Sequence, residues 1–164
     1  MENGWKAMPA KRPLTTPADC KGLAMRIQSS KVLDAQRRTL GAHPQVLALS
    51  EVYQALQSGM VDGTENTPSN CYTQKMHEVQ KNMTISNHGY IGYAVIVNKK
   101  FWDDMPADVK PQVQKAMDDA TEFANSIEQK ETDDAVAARK AAGRTTVHNQ
   151  SPAGKHRWKG RKAG

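Results

Sequence analysis

The side chain best suited to bind a ligand is Arg26, which lies in an otherwise apolar stretch over residues 23–27. A guanidinium in an apolar strand needs an anion or several acceptors, because an unpaired buried charge is costly. Arginine also holds a carboxylate well, through two parallel hydrogen bonds. Asn66 stands just before a helix start at Pro68, where its amide and the free N–H groups of the helix could bind the same anion.

A purely structural interpretation of the same residues is equally open. Arg26 could pair with Glu65 or Asp62, and Asn66 could be only a turn residue. Spacing along the chain does not decide between an anion site and a structural ion pair.

Other kinds of site find no support in the sequence. No two of the five histidines lie four apart on one helix with an acidic residue in metal-ligand geometry, so we expect no metal. Neither a Gly-x-Ser-x-Gly motif nor a phosphate-binding glycine loop occurs, so we expect neither an enzyme nor a cofactor. Cys20 and Cys71 are too few for a disulfide scaffold, and whether they pair stays open.

The positive net charge of +6 is concentrated at the carboxyl end of the chain. Residues 139–164 contain eight Lys or Arg residues and no acid, which leaves 15 basic against 17 acidic residues before them. We therefore predict a mildly acidic body and a basic, disordered tail over residues 144–164. DNA binding through this tail is an alternative function, although we expect no nucleic-acid partner.

The elements that position Arg26 and Asn66 alternate between helix and strand. Helix-capping residues and apolar periodicity predict helices over 31–40, 51–58 and 68–80, and apolar runs predict strands over 23–28, 45–49, 60–66, 83–86 and 90–97. We expect the 45–49 strand to be buried. This alternation predicts an α/β fold with a mixed, largely parallel sheet.

A long helix is predicted from Pro106 to Ala142, with Pro111 bending it or delaying its start. Apolar residues at spacings of three and four give it one apolar face, and its length would be ~50 Å. We interpret it as a brace between two lobes. An edge strand could follow at 145–148.

Several motifs in this order resemble the TRAP-transporter solute-binding family, over about residues 3–143. The motifs are Gly22-Leu-Ala-Met-Arg26-Ile-Gln, Ser50-Glu-Val-Tyr-Gln-Ala-Leu-Gln57, Val61-Asp-Gly-Thr-Glu-Asn66, Lys75-Met-His-Glu-Val-Gln-Lys81 and Ser86-Asn-His-Gly89. Finer matches over 25–33 and 95–102 resemble the C4-dicarboxylate branch of that family.

The resemblance implies a two-lobed periplasmic receptor that delivers an organic acid such as succinate, fumarate or malate to a membrane permease. The family's carboxylate-binding arginine falls on Arg26 and its pocket asparagine on Asn66. A second basic position falls on Lys6, and an apolar pocket position falls on Leu49.

Two departures from the family bear on this interpretation. Family members are about twice as long and begin with a signal peptide, whereas the first residues here show no basic segment followed by an apolar stretch. We therefore expect a fragment of a two-lobed fold: a ligand-binding lobe with hinge strands over 1–97, the inter-lobe helix region over 98–143 and the tail. A truncated remnant without binding activity is the other alternative.

Overall fold

Short strands and helices alternate along the first hundred residues of the computed structural model, which describes residues 1–143 and 145–149. The strands are β1 (Glu2–Trp5), β2 (Met8–Ala10), β3 (Ala24–Ile27), β4 (His43–Val46), β5 (Asn82–Ile85), β6 (Tyr90–Gly92) and β7 (Thr146–Asn149). The helices are α1 (Lys31–Thr39), α2 (Val52–Gln57), α3 (Pro68–Thr73), α4 (Met76–Val79), α5 (Lys99–Asp103) and α6 (Lys110–Ala141).

The strand pairing is mixed. β3 pairs with β4 and β5 with β7 in parallel, while β2 pairs with β5 and β1 with β6 antiparallel. Single-residue bridges from Gly63 to Ala10 and Met25, and from Asn66 to Ala7, join these pieces. The predicted mixed α/β lobe is confirmed. Residues 60–66, predicted as a strand, take part only through these bridges.

Two apolar clusters form the core. One packs β2 and β3 against the segment between them, and the other packs α2 against α3 and α4. Cys20 lies in the first cluster and Cys71 in the second, and both are free and buried. The two cysteines therefore do not pair. Each contributes apolar volume to its own cluster, like the other small side chains around it.

Helix starts follow the expected capping chemistry. The Ser30 side chain accepts a hydrogen bond from the backbone of Leu33 at the start of α1, and the Thr67 side chain caps α3. The single helix predicted over 68–80 is wrong in one respect, because it is divided into α3 and α4. Lys75, between them, has a left-handed backbone with φ of 55°, which no helix can continue through.

The long helix is confirmed, and α6 spans 32 residues and ~48 Å. It begins at Lys110 rather than Pro106, and Pro111 occupies its first turn, where a missing N–H costs nothing. α6 packs against α3, β1 and β7. Only Ala135 and Arg139 are buried along its length, and Phe123 is 65% exposed. Across 1–143 and 145–149, no helix combines the length and apolarity needed to cross a bilayer.

Two predicted strands differ from the structure. β4 begins and ends earlier than the predicted 45–49 run and is mostly exposed, so the expected burial is wrong. The predicted 90–97 strand forms only as Tyr90–Gly92, which pairs with β1. Residues 93–97 are left exposed, and Ile96 is 90% exposed. The edge strand near 145–148 is present as β7, while Arg144 and residues 150–164 of the predicted tail lie outside the described residues.

Candidate functional site

Strand pairing brings Lys6, Arg26 and Asn66 to one region of the lobe. The backbone N–H of Ala7 donates to the Asn66 carbonyl at 2.8 Å, and the Asn66 N–H donates back at 3.2 Å. The Arg26 N–H donates to the Gly63 carbonyl at 2.8 Å, three residues before Asn66. Because β3 and β4 are parallel, Arg26 also lies near the carboxyl ends of both strands, where α/β sheets commonly bind ligands.

Arg26 is only 2% exposed, and it pairs with neither Glu65 nor Asp62. Its Nε and Nη2 both donate to the Leu47 carbonyl, at 2.9 and 2.7 Å. Its Nη1 is buried and has no hydrogen-bond partner among the described residues. Buried donors are normally satisfied, so this nitrogen is suited to an external acceptor.

The two polar groups of the Asn66 side chain differ: Oδ1 is bonded within the chain, and the amide NH2 is not. Its Oδ1 accepts hydrogen bonds from the Thr67 N–H at 2.9 Å and from Asn70 Nδ2 at 2.8 Å. Its own amide NH2 forms no hydrogen bond within the described ranges, so two donors stay available. The contribution of free N–H groups at the α3 start stays a prediction. Two of these groups have partners within the chain, because the Thr67 N–H donates to Asn66 Oδ1 and the Asn70 N–H donates to the Thr67 hydroxyl.

Lys6 belongs to a buried network of ionic and hydrogen-bonded side chains. Lys6 Nζ lies 2.7 Å from Oε1 of Glu65, and Oε2 of Glu65 contacts both Arg37 and His88. His88 Nδ1 lies 2.6 Å from the Ser86 hydroxyl, which donates to the Lys6 carbonyl. We call Lys6, Arg37, Glu65, Ser86 and His88 the Glu65 network.

The charges at this site do not balance. Burial lowers the pKa of Lys6 to about 8, assisted by the nearby charges of Arg37 and Arg26. Burial, with the charges of Arg37 and Lys6, holds the pKa of His88 well below its usual 6.5, so its ring is neutral. The site then holds three cations, Lys6, Arg37 and Arg26, and one carboxylate, Glu65, which contacts only the first two of them, so its net charge is +2. A buried excess of this kind favours binding of an anion.

Leu49 stays a predicted contact. It is 37% exposed and opens a short 3-10 turn two residues after Leu47, whose carbonyl binds Arg26. In the sequence, Leu49 is therefore close to the residue that binds Arg26.

Sequence reasoning missed the role of Arg37 in this network. Leu33, Arg37 and Leu40 are spaced by four and three residues, which places Arg37 on the inward face of α1. That spacing was the available signal. His88 and Glu65 were noted in motifs, but their contact arises from tertiary pairing between 65 and 88, which spacing does not show.

Two concave regions of the described part lie away from these residues, one lined by Tyr53, Gln74 and Glu78 and the other between β1 and α6. No group of three metal-ligating side chains occurs in residues 1–143 and 145–149.

Known proteins with related sequences share this arrangement of elements. The family described as bacterial extracellular solute-binding protein, family 7, matches residues 1–162. A C4-dicarboxylate-binding periplasmic protein of Rhodobacter capsulatus is 59% identical over 157 residues, which is 96% of this chain and 47% of that protein. A Vibrio cholerae protein of the same description is 46% identical over 119 residues, 73% of this chain and 36% of that protein.

Solved structures give the same result. A TRAP periplasmic solute binding protein of Shewanella oneidensis with bound succinate has a TM-score of 0.95 and 36% identity, covering 98% of this chain and 52% of that one. A Sulfurospirillum deleyianum protein of the same kind, also with bound succinate, has a TM-score of 0.88 and 45% identity, covering 97% and 53%. The chain spans about half the length of these relatives. The matched family, the relatives and the shared fold together establish that this chain belongs to the bacterial extracellular solute-binding protein family 7.

Proposed function

We propose that this chain is the anion-binding half of an extracytoplasmic TRAP-transporter receptor for a C4-dicarboxylate such as succinate, fumarate or malate. The observation that carries the proposal is the net charge of +2 in a buried site with an unsatisfied arginine nitrogen. A dicarboxylate dianion carries the opposite charge and several acceptor oxygens. Relatives described as binding C4-dicarboxylates and structures with bound succinate support this choice.

Each site residue has a role in the proposal. Arg26 donates from Nη1 to one carboxylate, and the Asn66 amide donates to the same ligand. Lys6 supplies the second charge, since Glu65 is shared with Arg37. Leu49 contacts the apolar carbons of the ligand. No bond is made or broken in these roles, which fits a receptor rather than an enzyme.

The partners and location of the whole protein are part of the proposal. Because relatives are described as periplasmic binding proteins, we place the working receptor in the periplasm, where it would deliver its ligand to the membrane subunits of a TRAP permease. A half-length chain offers one wall of the cleft, so we expect it to bind more weakly than a two-lobed receptor.

Titration calorimetry of the folded chain with succinate, L-malate and fumarate tests the proposal, with NMR shift titration extending the range to millimolar ligand. We expect saturable binding that Arg26→Ala abolishes. Arg38→Ala is the matched control, because Arg38 lies on the same lobe but is exposed and pairs only with Asp34. Equal affinity in Arg26→Ala and the unchanged chain would overturn the assignment of Arg26.

A remnant without binding activity is a second candidate, and one observation favours it. Residues 93–97 and Phe123 of α6 expose apolar side chains that a stable domain normally covers. This alternative predicts an aggregating or partly unfolded chain. A sharp, cooperative unfolding transition together with saturable succinate binding would exclude it.

A further inference from the structure

Arg37 is the most deeply buried charge of the Glu65 network. It is 1% exposed, although it lies on a helix whose next residue, Arg38, is exposed. Its Nη2 contacts Oε2 of Glu65 and lies 3.0 Å from His88 Nε2. Its Nη1 lies near the Met8 sulfur, and its Nε has no hydrogen-bond partner in the described part of the chain. The Nη atoms of Arg37 are thus occupied by groups of this lobe, with Glu65 between Arg37 and Lys6.

The position of Arg37 divides the charge of Glu65 between two cations. Oε1 of Glu65 faces Lys6, whereas Oε2 faces Arg37 and the neutral His88. One carboxylate cannot neutralise two cations. Without Arg37, Glu65 and Lys6 would form a neutral pair, and Arg26 would be the single uncompensated charge near the site.

We propose that Arg37 is a specificity-determining residue, which neutralises Glu65 from behind and leaves two positive charges, Lys6 and Arg26, for a ligand with two carboxylates. The inference rests on the proposed anion-binding function. Arg37 acts through Glu65 and Lys6 rather than by contact. Charges in a buried network interact through a low effective dielectric. Loss of Arg37 therefore changes the electrostatic potential at Lys6, even though Glu65 separates the two side chains.

Two observations on this chain support the coupling of Arg37 to Lys6. The charge of Arg37 is the main electrostatic cause, after burial, of the lowered pKa of Lys6. The Lys6 side chain is also held in place, because its backbone N–H donates to the Gly89 carbonyl and its carbon chain packs beside Gly89. A lysine held in this way cannot move its Nζ into solvent, away from the nearby positive charges.

The test uses Arg37→Met, which keeps an unbranched side chain of similar helix propensity but removes the guanidinium and its charge. Arg38→Met is the matched control on the exposed face of the same helix. Arg37→Lys restores the charge and should rescue the behaviour. Circular dichroism and thermal unfolding first establish that each variant folds.

The first readout needs no ligand. NMR titration of the Lys6 side chain should give a pKa near 8 in the unchanged chain and a higher pKa in Arg37→Met, because a like charge is lost and Glu65 becomes a full partner. Glu65→Gln should shift the same pKa in the opposite direction, which provides a second test if Arg37→Met does not fold. An unchanged Lys6 pKa in the folded Arg37→Met chain, or a rise in Glu65→Gln, would overturn the proposal.

The second readout compares succinate with succinamate, which has the same carbon skeleton but one carboxylate. At pH 7, we expect the preference for succinate over succinamate to fall on the order of tenfold in Arg37→Met and to stay unchanged in Arg38→Met. An equal loss of affinity for both ligands would show a merely structural role and overturn the selectivity.

The two proposals fail in distinguishable ways. If neither acid binds the folded, unchanged chain, the proposed function fails and the selectivity with it, whatever the Lys6 titration shows. If succinate binds and depends on Arg26 but Arg37→Met keeps its full preference for the diacid, only the inference about Arg37 fails.

Discussion

The Glu65 network and residues 93–97 both depart from the usual rule that charged side chains are exposed and apolar ones are buried. The network buries three charged side chains, whereas the segment exposes a run of apolar residues that includes Ile96. Folded proteins rarely bury charge without a partner or expose long apolar runs without a use. Stability of this lobe alone explains neither region.

The two regions differ in whether their unusual side chains find contacts within this lobe. The buried charges contact one another within this lobe, while Arg26 Nη1 and Arg37 Nε have no hydrogen-bond partner in its described part. The exposed segment follows β6, and beyond Tyr93, whose N–H donates to the Met1 carbonyl, it continues no strand pairing in the described part of the chain. This lobe therefore holds the side chains of the Glu65 network in place by itself, but it does not cover the apolar residues 93–97.

The largest expected effect comes from emptying the network of its only carboxylate. Glu65→Ala leaves Lys6 and Arg37 as unpaired buried cations, and we expect a loss of about 3–5 kcal/mol of unfolding free energy. Denaturant unfolding measures it. Glu122→Ala, at an exposed position of α6, serves as control and should change stability little. A loss below about 1 kcal/mol for Glu65→Ala would mean that the network is not buried in solution.

A third buried arginine, Arg139, sharpens the comparison because it has no carboxylate partner in the described part of the chain. Arg139 is 0% exposed, contacts the Met83 sulfur and a Cys71 carbonyl, and pairs with no acid among residues 1–143 and 145–149. Arg139→Met should stabilise the protein by about 1–3 kcal/mol, because an unpaired buried charge is replaced by apolar packing. Thermal unfolding measures the change. Lys140→Met, exposed on the same turn, should not reproduce it.

The pH dependence of binding tests the network charge itself. Lys6 has a pKa of about 8, below its usual 10.5, so it loses its proton as the pH rises through 8. We expect succinate affinity to weaken several-fold between pH 7 and 9. The unfolded chain holds this proton up to 10.5, so the Lys6 contribution to folding stability increases with pH between 8 and 10.5. Calorimetry in Lys6→Met, which should flatten the binding profile, is the control.

The smallest effect is expected in the exposed segment. Ile96→Ala should change the unfolding free energy by less than about 0.5 kcal/mol, because the side chain is 90% exposed. Ile27→Ala, at a fully buried position of β3, should cost about 2–5 kcal/mol in the same assay. Similar costs for the two substitutions would show that residues 93–97 are covered in solution.

The sequence predicted the elements better than their surroundings. Capping residues located α1 and α3, and apolar spacing located α6, because these signals act within a few residues. The 93–97 run has strong strand propensity, yet a strand needs a partner, and partners depend on distant residues. The left-handed backbone of Lys75 divides a predicted helix, and lysine is not a residue type that indicates such a conformation.

For the candidate site, the sequence predicted some of the residues but not all of their contacts. Arg26 and Asn66 were singled out from residue type and position, and strand pairing does bring them together with Lys6. The even choice between an anion site and an Arg26 ion pair could not be made from sequence, since the Leu47 carbonyl that binds Arg26 is 21 residues away. Their assignment as ligand contacts stays a prediction.

The long helix α6 has a mechanical consequence. Its carboxyl-terminal part is held by the buried Ala135 and Arg139, whereas its first half projects with little cover. A rigid rod of ~48 Å pivoting at one end by about 5° displaces its other end by about 4 Å. The length of α6 therefore converts a small rotation about its buried end into a displacement of several ångströms at its exposed end.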